Sequence, residues 1–487
     1  MNRKKFIRNI GLGAGVLAFS PIISACSKEK FIGNGEFLIS LPIPDEINAA
    51  SFSLSATKAA TDISKDIRLS GFQINESFPS PTIRKSKGEP IDISFKNEIG
   101  QESIIHWHGF IIPPDMDGHP RDAVPSGQNY EYKFTVNQRA GTYWYHPHPD
   151  KITGEQVYKG MAGFYIIEDE EEKALNLPSG KFEIPLLIQD RRVNGSGEIV
   201  YNPSRPEKMM TGILGDQILI NGVPTPYHKV ESSVYRLRLL NGSNARIYNI
   251  AFQDNTPYTV IGADGGLLPS PIETSELLLA PGERADILVD FSKFANNDVK
   301  LISKTFEIPS SGGMMGNMMG ADGSEQGTGF SLMEFRIDKS TMGGEFSIPE
   351  NLSEANFPTR SEASKTRQIR LSMQMMQGHT INGKRFSMNR VDEQVKQGDT
   401  EIWEFVNETD QPHPMHVHAV QFKVLDRSGN NRGLTPTEKG WKDTVLVMPD
   451  ERVQVIMKFT CEKGLYVFHC HNLEHEDNGM MANFEVI

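Results

Sequence analysis

The stretch GDTEIWEFVNET (residues 398–409) has the pattern that decides the fold: a glycine turn, a run of alternating residues and an Asn-Glu exit. Apolar and polar residues that alternate with a period of two are typical of β-strands. The stretch GEPIDISFKNE (88–98) repeats this pattern closely, and VYRLRLLNGS (234–243) repeats it more loosely. A pattern that occurs three times along the chain predicts three copies of one all-β domain.

A second turn and strand follows each copy and supports the repeat. The three stretches are PSGQNYEYKFTV (125–136), PGERADILVDFS (281–292) and PDERVQVIMKFT (449–460), each with apolar residues on one face. Three β-sandwich domains are the simplest explanation. We place them at 51–170, 171–340 and 341–487. Composition predicts a mobile glycine-rich loop at 312–329 and a polar connection into the third domain at 338–368.

Length and charge exclude several classes of protein. The 487 residues are enough for about three domains. The net charge of -12 is dispersed and the chain has no basic stripe, so we expect no nucleic-acid partner. After the N-terminus no segment approaches the apolar run of about twenty residues that a membrane span requires.

The N-terminus has the layout of an export signal. A basic start leads into the small and apolar segment IGLGAGVLAFSPIISAC, which predicts a signal at 1–25 followed by a tether at 26–50. RKKFIR resembles the twin-arginine export motif with Lys4 in place of the second arginine, and IISAC resembles a lipoprotein cleavage box that ends at Cys26. We therefore expect an exported protein, periplasmic or lipid-anchored in the cell envelope. The alternative is that Cys26 is a late residue of an ordinary signal.

The histidines are concentrated in four short windows. Ten of the thirteen lie in HWH, HPH, HPMHVH and HCHNLEH. Two histidines separated by one residue share a face of a strand, about 6 to 7 Å apart, so each pair can serve one site. The eight paired residues are His106, His108, His146, His148, His416, His418, His469 and His471. This number exceeds what a single four-coordinate ion can use, so it predicts a multi-metal cluster between the first and third domains.

The second domain has ARIYNIAF (245–252) where the histidine pairs would be, so we predict a spacer without metal ligands. Zinc is the alternative for a lone histidine pair, but four pairs together favour the cluster. His119, His228 and His379 lie outside the windows and are predicted to be ordinary surface or loop residues.

Cys470 lies between two histidines of one pair, so its sulfur should point to the opposite face of the strand. There it can meet His413, His475 and Met480, and two imidazoles, a thiolate and a weak thioether are the ligands of a blue-copper site. Met480 could instead be a core residue. Cys461 and Cys470 lie too close in sequence for a useful structural disulfide, and we expect Cys461 to be a small buried hydrophobe.

With these motifs, the sequence resembles the three-domain multicopper oxidases over essentially the whole mature chain. The resemblance implies three cupredoxin-like Greek-key β-sandwich domains and four copper ions. It implies that His106 and His416 bind the type 2 copper, and that His413, Cys470, His475 and Met480 hold the type 1 copper. The implied ligands of the type 3 pair are His108, His146, His148, His418, His469 and His471.

The implied reaction takes four electrons singly from a reducing substrate at type 1 and delivers them to dioxygen at the trinuclear cluster, releasing two waters. Reduction of dioxygen consumes protons, so we expect acids near the cluster. Asp117 and Glu476 match the acidic positions of the family. The alternative for each is a solvated carboxylate.

Within the family, HPHPDKITGEQVYKGMAGFYIIED and HCHNLEHEDNGMM are most similar to the periplasmic copper-efflux oxidases, which oxidise cuprous ion and, less selectively, phenols. Soft thioethers favour Cu(I), so the methionine groups are candidate substrate sites, although methionine also serves in flexible packing. The candidate residues are Met314, Met315, Met318 and Met319 in one group, and Met373, Met375 and Met376 in the other.

One departure keeps other substrates open. Efflux oxidases typically insert a long segment rich in methionine and histidine after the position of SMQMM, and this chain passes directly to QGHTINGKRF. We expect Cu(I) oxidation with a role in copper tolerance. Laccase-like oxidation of phenols or aromatic amines is the second hypothesis, and manganese or another metal ion the third. An exported scaffold protein of this fold is the non-enzyme alternative, which the complete ligand set disfavours. We expect a monomer.

Overall fold

The structure is a computed structural model that describes residues 36–64, 67–309, 325–342, 346–374, 378–430 and 432–487. The predicted signal, Cys26, the methionine group at 314–319, Met375 and Met376 lie outside these residues. No helix among the described residues has the length and apolar character needed to cross a bilayer.

The first domain consists of two sheets packed face to face. Their strand orders are β1-β4-β9-β8-β6 and β3-β2-β5-β7. A short helix, α1 (Thr153–Tyr158), lies between the last two strands, and α2 (Glu170–Ala174) follows them. The strands are β1 (Glu46–Ile47), β2 (Ser51–Ser64), β3 (Ile67–Ile74), β4 (Thr82–Ser86), β5 (Pro90–Glu98), β6 (Ile105–His108), β7 (Asn129–Thr135), β8 (Gly141–Pro147) and β9 (Gly163–Glu168).

The second domain repeats the arrangement with twelve strands among the residues described. The sheet orders are β12-β11-β10-β14-β19-β16-β17 and β13-β21-β20-β15-β18. One π-helical turn, Glu207–Thr211, precedes β11. The strands are β10 (Glu183–Arg191), β11 (Gln217–Ile220), β12 (Val223–Pro224), β13 (Tyr227–Ser232), β14 (Val234–Asn241), β15 (Tyr248–Phe252), β16 (Tyr258–Ala263), β17 (Gly266–Thr274), β18 (Leu277–Leu279), β19 (Arg284–Asp290), β20 (Asp298–Ser303) and β21 (Phe330–Met342).

The third domain has sheet orders β23-β22-β25-β29-β27 and β24-β31-β30-β26-β28. A short helix, α3 (Leu473–Asp477), separates its last two strands. The strands are β22 (Lys365–Gln374), β23 (Gly378–Ile381), β24 (Glu393–Val395), β25 (Thr400–Asn407), β26 (His413–Val417), β27 (Phe422–Ser428), β28 (Thr444–Val447), β29 (Arg452–Lys458), β30 (Gly464–Cys470) and β31 (Met481–Val486).

The strands predicted from the threefold repeat occupy equivalent places in the three domains. β5, β14 and β25 each pair antiparallel with the strand that carries the second repeated pattern, namely β7, β19 and β29. The apolar faces of these strands lie in the three main cores, for example Tyr132, Ile287 and Val455. The all-β sandwich prediction is confirmed.

Candidate metal centres

Two pairs of antiparallel strands bring the histidine windows together. β6 and β8 place His106 directly opposite His146, and β26 and β30 place His416 opposite His469. The two domains face each other so that their imidazoles interleave. The rings of His106 and His418 stack with centroids 3.7 Å apart, and those of His108 and His416 stack at the same distance. All eight predicted cluster histidines are fully buried.

One pair of nitrogens points into a shared space at the centre of this group. Nδ1 of His106 lies 2.7 Å from the carbonyl oxygen of Asp117, and Nδ1 of His416 lies 2.8 Å from that of Asp443. A ring nitrogen that donates to a carbonyl carries the proton, so the other nitrogen keeps its lone pair. The two remaining Nε2 atoms are 3.4 Å apart, a spacing at which both can bind one ion.

A second group joins His148, His418 and His469. Nε2 of His469 lies 3.2 Å from Nε2 of His148 and 3.2 Å from Nε2 of His418. Nδ1 of His418 contacts a carboxylate oxygen of Asp117 at 2.7 Å, and Nδ1 of His469 contacts Glu476 at 3.0 Å. These three imidazoles form one of the groups whose ligand atoms could hold a metal ion.

His108, His146 and His471 form a third group, in which His108 is oriented differently. Nδ1 of His108, not Nε2, lies 3.4 Å from Nε2 of His146. Nδ1 of His146 is bonded to the carbonyl of Pro147 at 2.9 Å. The His471 ring lies 5.0 Å from the His108 ring and 5.3 Å from the His146 ring.

Burial favours the neutral form of several cluster histidines, and some of their ring nitrogens have no hydrogen-bond partner. Burial lowers the pKa of His146 and of His416 to about 3, so both are unprotonated at neutral pH. Neither ring nitrogen of His471 has a partner among the described residues, and Nδ1 of His148 has none. An unsatisfied buried polar atom costs about 1–3 kcal/mol. Lone pairs buried without hydrogen-bond donors are what metal ions bind, so the cluster fits metal.

Cys470 occupies the other face of β30, as its position between two paired histidines predicts. Its Sγ lies 3.4 Å from Nδ1 of His413 and 3.7 Å from Nδ1 of His475. The backbone N–H of Asn472 donates to the same sulfur at 3.4 Å. Burial raises the pKa of the Cys470 thiol, so its thiolate requires a cation.

The second ring nitrogens of His413 and His475 make hydrogen bonds within the protein. Nε2 of His413 lies 2.7 Å from the hydroxyl of Thr409, and Nε2 of His475 lies 2.7 Å from the carbonyl of Met210 in the second domain. The fully buried Met480 bonds to Cys470 and His475 through its backbone at 3.0 and 2.8 Å and packs in the same core. One thiol, two imidazoles and a nearby thioether fit a blue-copper site.

The two predicted acids contact cluster histidines. Asp117 bonds to His106 through its carbonyl and to His418 through its carboxylate, and burial raises the pKa of this carboxyl well above its ordinary value. Glu476 lies 3.0 Å from His469 and 3.6 Å from His148. Both side chains are buried, so neither is a solvated surface carboxylate.

Two residues near the sites were missed by sequence reasoning. Asp443 lies 3.0 Å from Nε2 of His108 and 3.6 Å from Nδ1 of His416. Burial by itself would raise the pKa of the Asp443 carboxyl, but the charge of Arg284 lowers this pKa below its ordinary value. His379 packs with ring centroids 4.2 Å from His475 and 4.7 Å from His413. No local pattern marks either residue, because their partners are distant in sequence.

The expectation for the three isolated histidines needs correction. His379 is buried on β23, not exposed in a loop, and burial lowers its pKa to about 4. His119 lies in a loop but is also buried, and its Nε2 lies 3.0 Å from the side-chain oxygen of Asn483 in the third domain. His228 is half-buried on β13.

Met373 is the one member of its predicted group within the described residues. It lies on β22 directly opposite His379 on β23 and is 48 % exposed. This register places a solvent-accessible thioether on the hairpin that carries the imidazole beside His475. His379 is thus the register partner of the exposed Met373 and packs against His475 of the Cys470 site.

Models of the multicopper oxidase family match three stretches of the chain, 56–172, 171–301 and 359–487. The chain belongs to the multicopper oxidase family. A laccase from Bacillus subtilis is 31% identical, over 93% of this chain and 98% of its own length. The McoA multicopper oxidase of Aquifex aeolicus is 40% identical with a TM-score of 0.82, over 92% of this chain and 99% of that structure. A multicopper oxidase from Campylobacter jejuni, a metallo-oxidase, is 28% identical with a TM-score of 0.79, over 94% and 99%.

These comparisons confirm the predicted fold and enzyme class. The protein is an oxidoreductase of the laccase type, and multicopper oxidases bind four copper ions of types 1, 2 and 3 and use dioxygen. The histidine groups fit copper sites.

Proposed function

We propose that this multicopper oxidase oxidises cuprous ion at a type 1 copper on Cys470 and reduces dioxygen at a trinuclear cluster. The proposal is supported by the alternation of side chains at the end of β30 and in the residue that follows it. His469 and His471 face the eight-imidazole cluster, while the sulfur of Cys470 faces His413 and His475. The two sites are thus joined by the main chain of three consecutive residues.

The hydrogen bonds support one division of the ligands. His106 and His416, whose Nε2 atoms approach each other, would hold the type 2 copper, and His413, Cys470, His475 and Met480 the type 1 copper. The type 3 pair would be held by His148, His418 and His469 on one side and His108, His146 and His471 on the other. Bound copper supplies one-electron redox chemistry at type 1 and the four-electron reduction of dioxygen at the cluster.

The chain itself would supply the protons. Asp117 touches two cluster histidines, and burial raises the pKa of its carboxyl well above the ordinary value, which favours the protonated form. Glu476 touches His469 and His148 from the other side. Each carboxyl lies close enough to transfer a proton into the cluster space, directly or through one water.

The surroundings of Cys470 favour cuprous ion as the reducing substrate. The exposed thioether of Met373 lies across the hairpin from His379, whose ring packs against His475. The half-buried Met209 and Met210 belong to the π-helical turn whose carbonyl bonds to His475. Thioethers prefer Cu(I) among the available ions. Similarity to a metallo-oxidase agrees with this substrate class.

Phenols or aromatic amines are the second candidate substrates. The chain lacks the methionine- and histidine-rich insertion of the efflux oxidases, and a laccase is among its relatives. Manganese or another metal ion remains a third candidate.

Oxygen consumption with Cu(I) and with a phenol distinguishes these substrates. We expect Met373→Ala and Met373→Leu to lower the rate with Cu(I) by about tenfold and to leave the phenol rate unchanged. The leucine variant keeps the apolar volume and removes only the sulfur. Leu38→Ala, at a side chain that is 71 % exposed, is the control for loss of surface apolar area. An unchanged Cu(I) rate in Met373→Leu would remove the case for a thioether entry site.

We also propose export, with attachment of a lipid at Cys26, a role in copper tolerance, and a monomeric state. Mass spectrometry of the mature protein tests the first point, because a lipidated Cys26 would be its first residue. Release of a Cys26→Ser variant into the soluble fraction would support the anchor, whereas an unmodified later N-terminus would exclude it.

A further inference from the structure

A loop of the second domain forms part of the wall of the histidine cluster. This loop joins β18 to β19 and includes Gly282, which has a φ of +83°. A Cβ atom at this position would lie 2.9 Å from a ring carbon of His471. The loop backbone is therefore packed against a cluster imidazole, so the second domain reaches the metal centre although it supplies no cluster histidine.

Arg284, two residues further on, is completely buried and fully hydrogen-bonded. Its guanidinium donates to both carboxylate oxygens of Asp443, at 2.8 and 2.5 Å. Three further bonds go to the carbonyl oxygens of Thr142, Gly282 and Asp264, at 3.0, 2.8 and 2.9 Å. Because all of its N–H groups are hydrogen-bonded, the guanidinium cannot rotate, and it holds the carboxylate of Asp443 in one place.

Asp443 in turn sets the orientation of His108. One of its oxygens lies 3.0 Å from Nε2 of His108, and the hydroxyl of Thr444 lies 3.2 Å from the same nitrogen. The proton of the neutral imidazole is therefore on Nε2, and Nδ1 is left to face His146. His106 and His416 have the opposite arrangement, with a main-chain carbonyl on Nδ1.

The residue after His108 leaves room for this pair. Gly109 has a φ of +91°, and a Cβ atom there would lie 2.5 Å from a carboxylate oxygen of Asp443 and 2.9 Å from Arg284. The three domains thus meet at one ion pair, with Gly109 from the first, Arg284 from the second and Asp443 from the third.

We propose that Arg284 is a positioning residue of the cluster, which fixes Asp443 so that His108 presents Nδ1 to the metal. The proposal rests on the cluster assigned above. Partners that orient a metal-bound imidazole typically change metal affinity about 10- to 100-fold when removed. The second domain would therefore act on copper binding through one arginine, and not only by holding the other two domains together.

The test compares Arg284→Met with Arg427→Met in the copper-loaded protein. Arg427 is a buried arginine paired with Glu438 and Glu451, and none of these residues contacts a cluster histidine. We expect Arg284→Met to weaken copper binding at the cluster about 10- to 100-fold and to alter the paramagnetic resonance signal of the non-blue copper. The blue absorption of the Cys470 site should remain. Arg427→Met should lower Tm without changing the copper content.

Two further variants keep the proposal open to refutation. Arg284→Lys retains the charge but cannot bond both carboxylate oxygens, so it should alter the resonance signal even if Arg284→Met fails to fold. If Arg284 acts through Asp443, the double variant Arg284→Met/Asp443→Asn should lose no more copper affinity than the worse single variant. An unchanged cluster signal in Arg284→Lys, or additive losses in the double variant, would overturn the proposal. A wild-type protein that binds copper only at Cys470 would instead refute the cluster itself.

Discussion

At the scale of single residues, a hydrogen bond on one ring nitrogen leaves the other nitrogen free to face the cluster in His106, His108 and His416. The HxH spacing predicts which imidazoles share a face and that Cys470 faces away from them, and the structure brings these side chains together as predicted. The spacing could not show which nitrogen of each ring is free, because this depends on carbonyls and carboxylates such as those of Asp117 and Asp443. The separation of His108 from Asp443 by 335 residues explains why no sequence pattern reveals their contact.

Asp117→Asn should slow dioxygen reduction while leaving the Cys470 site intact. The amide can still accept a bond from His418 but cannot donate the carboxyl proton, so we expect kcat for oxygen consumption to fall about 10²-fold. Anaerobic reduction of the blue copper by substrate should keep its wild-type rate. If oxygen consumption were as fast as in the wild type, Asp117 would not supply protons to the cluster.

At the scale of elements, the alternating strands were predictable because each repeat combines a glycine turn with a period of two. The hairpin β22–β23 could not be predicted in this way, because the polar segment around His379 lacks the period of two. The sequence therefore predicts a surface or loop position for this histidine. The sequence predicts the loop before β19 as a turn of the repeat, but it does not predict that Gly282 packs against His471. Packing between domains, not local propensity, decides the role of both elements.

Gly282→Ala should destabilise the protein more than Gly127→Ala does. Both glycines have positive φ values, +83° and +89°, so each substitution costs about 1–2 kcal/mol in backbone strain. Only Gly282 has a ring atom of His471 within 2.9 Å of the added methyl, whereas Gly127 has open space. Thermal unfolding and copper content measure the difference. Equal losses in the two variants would mean that the loop does not press on the cluster.

At the scale of the whole molecule, eight imidazoles are buried between the first and third of the three sandwich domains. The repeat and the family resemblance predicted this architecture. They did not predict that the second domain contacts both sites, through Met210 and Arg284. Such contacts depend on how complete domains dock, and a sequence pattern within one domain does not contain that information.

The copper-free protein should lose stability on mild acidification. Burial lowers the pKa of His146 and His416 to about 3 from 6.5, so below pH 6.5 the unfolded chain binds protons that the folded chain does not. The free energy of unfolding therefore falls as the pH drops from 6.5 towards 3. Buried carboxyls such as Asp117 and Glu474 have the opposite effect on stability, because burial raises their pKa, that of Glu474 to about 7. The buried histidines are more numerous than these carboxyls, so their effect should prevail.

Thermal unfolding of the chelator-treated protein at pH 7.5 and at pH 5 measures this effect. We expect a lower Tm at pH 5, and a smaller decrease for the copper-loaded protein, in which the metal competes with protons. An equal or higher Tm at pH 5 for the copper-free protein would contradict the neutral state of the buried histidines.

The copper content and absorption spectrum of Cys470→Ser test whether one strand serves two metal sites. We expect four copper ions in the wild-type protein and three in the variant, with the blue band lost and the resonance signal of the cluster retained. A variant that keeps its blue band, or that binds as much copper as the wild type, would contradict the assignment of Cys470 to a site separate from the cluster.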